Sequence, residues 1–123
     1  MIQQNRLRMR KIYHLQTCNT CQRILRDLDI GEDVERQNLK TDPLTEAQLD
    51  ELYRRTGSYE ALFNRRSRQY RERGLHEQTL TEADYRDLLL DHYSFLKRPV
   101  LLIGEDTFVG NAKRTVEAAR AAL

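Results

Sequence analysis

A strand-like run, Lys11-Ile12-Tyr13-His14-Leu15, leads within a few residues into the cysteine pair Cys18 and Cys21, which opens an amphipathic helix. Cys21, Ile24, Leu25 and Leu28 recur at helical spacing and give that helix one buried face. This order places a thiol at the first turn of a helix. There it faces unpaired backbone N–H groups and the positive end of the helix dipole. Both favour the thiolate, which is the attacking form of cysteine. Thiol–disulfide chemistry is therefore the leading expectation, and the placement carries it more than the CxxC pattern does.

Downstream, Gly31 is expected to close the first helix. Val34-Glu35-Arg36-Gln37-Asn38-Leu39 reads as a weak strand whose polarity suits a sheet edge. Asp42-Pro43 breaks the chain, and Thr45-Glu46-Ala47-Gln48 is a capping box ahead of a helix carrying Leu49, Leu52 and Tyr53 on its apolar stripe. Gly57 ends that helix, and Tyr59–Phe63 reads as a short helical or turn-rich segment. A basic stretch from Arg65 to Arg73 contains Tyr70 and stops at Gly74. Thr81-Glu82-Ala83-Asp84 caps a further helix with Tyr85, Leu88 and Leu89, followed by an irregular or short helical end over His92–Leu96.

Pro99-Val100-Leu101-Leu102-Ile103 is apolar throughout, as expected of a strand covered on both faces. A tight turn at Gly104-Glu105-Asp106 returns Thr107-Phe108-Val109 as its hairpin partner. Asn111 is expected to cap a last helix over Ala112–Ala122, with Val116, Ala119 and Leu123 inward. A right-handed crossover makes the first two strands parallel neighbours, and the apolar strand then lies centrally, beside the first. The expected architecture is one α/β domain over residues 1–123, with a helical insertion at about 43–96 and residues 1–9 as a flexible or extended arm.

The 123 residues suit a single domain, and the formal net charge of +2 is too balanced to imply a nucleic-acid partner by itself. Arg65, Arg66, Arg68, Arg71 and Arg73 read as a solvated face balanced by Glu60, Glu72 and Glu77, so DNA binding is not expected. No apolar run approaches membrane-spanning length, and Met1–Arg6 lacks a signal-peptide core, so a cytoplasmic location is expected. Two cysteines and a nearby histidine supply at most three ligands, so no zinc site is expected.

Strand, CxxC, helix, strand, helical block, and Pro99 heading the third strand together resemble the thioredoxin fold. A closer resemblance is carried by Ile12-Tyr13-His14 with Cys18, by Tyr59-Glu60-Ala61-Leu62-Phe63-Asn64-Arg65-Arg66, by Tyr70 and Gly74-Leu75, by Leu96-Lys97-Arg98-Pro99-Val100 and by Val109-Gly110. These segments resemble the arsenate reductase family, which includes glutaredoxin-coupled arsenate reductases and Spx-type regulators of RNA polymerase.

The resemblance implies that Cys18 is the nucleophile, that His14 matches the histidine preceding it, and that Arg98 matches one of three oxyanion-binding arginines. The other two arginine positions fall on Asn64 and Asn111, which are neutral. Cys21 departs from the glutaredoxin-coupled enzymes and is similar to the Spx branch and to ordinary CxxC oxidoreductases. In the implied cycle Cys18 attacks a small oxyanion or a disulfide, and Cys21 resolves the adduct. No bound cofactor is implied; glutathione, glutaredoxin or thioredoxin would act as external reductant. The alternative is an Spx-like redox sensor that binds RNA polymerase.

Around this pair, Asn19 and Thr20 offer backbone N–H groups to an anion. Arg98 stabilises the thiolate, holds an anionic group, or is an ordinary surface arginine. His14 either tunes Cys18 or is a packed strand-end residue. The Arg98–Pro99 bond is expected to be cis and to present backbone groups to a substrate.

Overall fold

The computed structural model describes residues 9–123, so the arm expected over residues 1–9 lies, apart from Met9, outside the described residues. Two compact units are present: one combines the described residues up to Asp42 with Arg98–Leu123, and the other is Pro43–Lys97.

The first unit holds β1 (Arg10–His14), α1 (Asn19–Asp27), β2 (Glu35–Asn38), β3 (Val100–Ile103), β4 (Asp106–Val109) and α5 (Lys113–Ala122). The strands form one mixed sheet in the order β2-β1-β3-β4. β1 runs parallel to β2 with Ile12 opposite Arg36, and antiparallel to β3 with Ile12 opposite Leu101. β4 pairs antiparallel with β3 at the far edge. The apolar strand from Val100 thus lies centrally beside the first, as its composition demands: an all-apolar strand is stable only where both faces are covered. The polar β2 takes an edge.

Ile12 and Leu101 place their side chains on the sheet face that receives Ile24 and Leu25 of α1, Leu28 at its C-terminal cap and Ala119 of α5. Phe108, Val116 and Leu123 pack against this cluster from its margin. Tyr13, Val100 and Leu102 are buried on the opposite face. Leu101 is 2% exposed beneath both helices. Leu101→Ala is expected to lower stability by about 2–5 kcal/mol, read from the urea midpoint, because the helices cannot fully collapse onto the vacated space.

Helix α1 does not end as its sequence suggests. Its last turn closes at Asp29, which takes the left-handed conformation at φ 53°, rather than at Gly31. The Ile30 N–H bonds the Leu25 carbonyl at 3.0 Å and the Asp29 N–H bonds that of Arg26 at 3.0 Å. This is the paired closure usually given to glycine. Aspartate tolerates the conformation because its short polar side chain relieves the steric cost. Ile30 then packs in the same cluster as Leu25 and anchors the exit. Asn111 likewise does not cap α5. The cap position is Ala112, which makes no side-chain cap bond, because the helix begins at Lys113 and leaves Asn111 outside it.

The second unit holds α2 (Glu46–Thr56), α3 (Arg68–Glu72) and α4 (Glu82–Asp91), with single 3₁₀ turns at Glu60–Leu62, Leu75–Glu77 and Tyr93–Phe95. The expected capping box at Thr45 forms, and the expected cap at Thr81 proves to be a reciprocal box as well. The Gln48 N–H donates to Thr45 Oγ1 at 3.1 Å and the Thr45 N–H to Gln48 Oε1 at 3.1 Å. Thr81 and Asp84 repeat the exchange at 2.9 and 3.2 Å.

Tyr53, expected on the inner stripe of α2, is 40% exposed and stacks on Tyr59 instead. The buried face runs from Leu49 and Leu52 to the stem of Arg55, whose side chain is 3% exposed and whose head pairs with Glu51. A long charged side chain can bury its methylenes while its head stays paired. Phe63 centres the unit, in ring contact with Tyr70, Tyr85 and Phe95. Within the basic stretch, Arg65 pairs with Glu60 and Arg73 with Asp91.

Candidate functional site

Strand β1 delivers the chain to His14, where the last sheet bond runs from the Leu39 N–H to the His14 carbonyl at 2.9 Å. The chain then turns: the Cys18 N–H bonds the Leu15 carbonyl at 3.0 Å, with Gln16 and Thr17 exposed at the corner. Cys18 is the N-cap of α1 in extended conformation (φ −92°, ψ 113°), and its carbonyl accepts the first helical bond from Gln22 at 3.0 Å. No side-chain hydrogen bond caps this helix. The first-turn N–H groups, which a serine or aspartate oxygen would otherwise satisfy, are left to the Cys18 sulfur.

That arrangement sets the acidity of the two thiols in opposite directions. Burial pushes the Cys18 thiol up. The Cys21 backbone N–H, the Cys21 thiol, the Arg98 charge and the Thr20 N–H together outweigh burial and bring it below its ordinary value. Cys21 is fully buried. Burial, joined by the neighbouring Cys18, pushes its thiol up to about 11 against the opposing pull of the Leu15 N–H and the Arg98 charge. Cys18 is partly exposed, and both cysteines are free thiols. The pair therefore gives up its first proton from Cys18, whose thiolate accepts a hydrogen bond from a protonated Cys21.

Arg98 sits at the bend before β3, where its charge acts on both sulfurs. The Arg98–Pro99 bond is cis. Pro99 is buried, and its carbonyl accepts from the Gly110 N–H at 2.8 Å, tying the bend to the end of β4. The structure thus gathers Cys18, Asn19, Thr20, Cys21, Arg98 and Pro99 within the first unit.

His14 is buried at the end of β1, and its Nδ1 makes no hydrogen bond among the described residues. Burial, assisted by the Arg36 charge, lowers its pKa, so it stands as a neutral imidazole at neutral pH. Asn111 is exposed. Asn64 belongs to the second unit, where its Nδ2 donates to the Ser94 carbonyl at 3.2 Å and its Oδ1 accepts from the Arg66 N–H at 3.1 Å. Its amide thus has a donor and an acceptor role there.

Missed by sequence reasoning is the bonding around Gln16. Its N–H donates to Asn38 Oδ1 at 3.1 Å, and its carbonyl accepts from Gln22 Nε2 at 3.1 Å. Polar residues on an edge strand and on an exposed helix face carry no pattern that announces such a contact. Among the described residues no group of three or more His, Cys, Asp or Glu side chains is placed to hold a metal ion, and no helix is long and apolar enough to cross a membrane.

The family model described as ArsC family matches residues 13–119, which include the cysteine pair, Arg98 and Pro99. The chain belongs to the ArsC family. Solved structures with the same architecture include an arsenate reductase (ArsC) related protein from Brucella melitensis, at 28% identity and TM-score 0.69, covering 89% of this chain and 92% of that one. The YFFB (PA3664) protein aligns at 24% identity and TM-score 0.75 over 94% of this chain and 99% of that one. An arsenate reductase from Vibrio cholerae aligns at 20% identity and TM-score 0.72 over 94% and 98%. The last two likenesses speak to the fold, which is thioredoxin-like. No curated protein sequence matches the chain. Within the ArsC family frame, the mixed sheet and the helix that starts at Cys18 are the parts that position the sulfur.

Proposed function

We propose that this ArsC-family protein is a thiol–disulfide oxidoreductase in which Cys18 is the nucleophile and Cys21 the resolving thiol. The observation that carries the reading is the split acidity of two adjacent sulfurs. One is lowered by helix N–H groups and Arg98; the other is held protonated by burial. A nucleophile must be anionic to attack, and a resolving thiol must stay out of the way until the adduct has formed.

With a disulfide substrate, the Cys18 thiolate attacks one sulfur, the substrate S–S bond breaks and a thiolate leaves. Cys21 then loses its proton and attacks Cys18 Sγ. The Cys18–Cys21 bond forms, the second substrate thiol departs, and the pair has given up two electrons. With arsenate, Cys18 displaces water from the arsenic, and attack by Cys21 on Cys18 Sγ releases arsenite. Glutathione, glutaredoxin or thioredoxin returns the two electrons. Arg98 supplies the fixed positive charge for an incoming anion, and the Asn19, Thr20 and Cys21 end of α1 supplies directed N–H donors.

The test is turnover of a glutathione mixed disulfide, and separately of arsenate, with each reductant in turn. Turnover of at least one oxidant is expected; none with any reductant contradicts the reading. Arg98→Ala removes a charge that lowers both thiols. It is expected to slow Cys18 alkylation at neutral pH by roughly three- to tenfold, the scale of up to one pKa unit. The expected sign is a profile displaced to higher pH, with the rate recovering in alkali.

A further inference from the structure

We propose that Asn38 is a positioning residue for Cys18: with Gln22 it fixes the peptide groups on either side of Gln16, and so holds the sulfur at the mouth of α1. The proposal rests on the reading of Cys18 as the nucleophile.

Asn38 is the last residue of β2 and lies beside His14 in the parallel register. Its side chain reaches past the end of the sheet to the turn that carries Cys18. There Oδ1 accepts from the Gln16 N–H at 3.1 Å and Nδ2 donates to Gln16 Oε1 at 3.2 Å. Oδ1 also receives the Lys40 N–H at 3.4 Å, which fixes the amide from behind. On the other side of the same residue, Gln22 Nε2 holds the Gln16 carbonyl at 3.1 Å.

Both peptide groups of one exposed corner residue are thus gripped, one from the sheet and one from the helix. A corner residue of a turn ordinarily leaves these groups to water. Gln16 and Thr17 bury no side chain that could anchor the turn by packing. Sheet pairing ends at His14 and packing ends at the buried Leu15, so the exposed corner beyond them is held by the Cys18-to-Leu15 turn bond and by these side chains.

The consequence for the sulfur follows from geometry. Stabilisation of the thiolate by the Thr20 and Cys21 N–H groups weakens steeply as distance and angle depart from the hydrogen-bonding range. A slack turn lets Cys18 Sγ move away from those donors for part of the time and raises its pKa. Asparagine suits the task because one amide can accept from a main-chain N–H and donate to the Gln16 side chain at once. An aspartate could not donate and would place a negative charge beside the turn.

Asn38→Ala, Gln22→Ala and the parent chain are compared by the rate at which iodoacetamide alkylates Cys18, followed by mass spectrometry from about pH 5 to about pH 10. Asn38→Ala is expected to move the midpoint upward and slow the neutral-pH rate about three- to fivefold, the scale of a hydrogen bond. Gln22→Ala is expected to move it the same way by less. A role in folding alone would lower Tm and leave the profile in place, and that result overturns the proposal. If Asn38→Ala does not fold, Gln22→Ala decides: a moved midpoint supports the proposal and an unmoved one overturns it. A parent midpoint at or above that of free cysteine overturns the nucleophile reading and this proposal with it. A low parent midpoint unmoved in the folded variants overturns this proposal alone.

Discussion

Cys18→Ser is expected to reduce turnover by a factor on the order of a thousand or more while leaving the fold intact or slightly more stable. The two halves of this result have one cause. Serine is the same shape, but its hydroxyl does not ionise at neutral pH, so the first-turn N–H groups and the Arg98 charge that act on Cys18 have no anion to stabilise. As an N-cap, however, serine is the better residue. The start of α1 has no side-chain oxygen cap, and at a pH low enough to keep the Cys18 thiol protonated a serine oxygen there accepts from the N–H groups that a neutral sulfur serves poorly. The gain is about 0.5–1 kcal/mol of helix stability. Thermal unfolding and turnover measured on the same preparation check both halves. Retained turnover would remove Cys18 from the chemistry, and a large fall in Tm would show that the thiol holds the fold rather than the substrate.

Cys21→Ala is expected to convert turnover into a single covalent event. Glutathione disulfide should leave one glutathione on Cys18, detectable by whole-protein mass spectrometry, because the resolving sulfur is gone. The parent should carry no lasting adduct and should instead close its internal disulfide. Two further effects accompany the change. The Cys21 thiol lowers the Cys18 pKa by hydrogen bonding, so the first attack should itself be slower at neutral pH. Cys21 is also fully buried, so removing its sulfur should cost about 1–2 kcal/mol as a small cavity. Alanine suits this test better than serine, since a hydroxyl at that depth would add an unsatisfied polar group. Undiminished turnover in Cys21→Ala, with no trapped adduct, would contradict the resolving role.

What could be read from the sequence was what is decided locally or by composition. The Thr45–Gln48 box and the Thr81 cap form as read because each is closed by residues three apart. The central place of Val100–Ile103 follows from its unbroken apolarity, and the edge place of β2 from its charge. The helix start at Cys18 was legible for the same reason: a strand that stops and an apolar stripe that begins leave little room between them.

The misreadings came from choices made by surroundings. Asp29 rather than Gly31 closes α1, because packing of Ile30 against the core decides which residue must turn. Asn111 falls one residue short of the position that caps α5. Tyr53 stays exposed against Tyr59 while the Arg55 side chain is buried, a preference that no hydrophobicity pattern records. At the site, the cysteine pair and Arg98 were legible through spacing and resemblance. The opposite shifts of the two thiols and the grip on Gln16 are tertiary, produced by groups that no single stretch of sequence brings together.

Helix α1 and Arg98 lower the Cys18 pKa and favour its thiolate over the thiol. The most direct measurement is the pH dependence of Cys18 alkylation in the reduced parent protein, with Cys21 followed separately. The account predicts a Cys18 midpoint below the free-cysteine value of about 8.5, and a Cys21 that resists alkylation until far higher pH, in keeping with a thiol pushed up to about 11. A Cys18 midpoint at or above the free value, or two cysteines that titrate together, would contradict it.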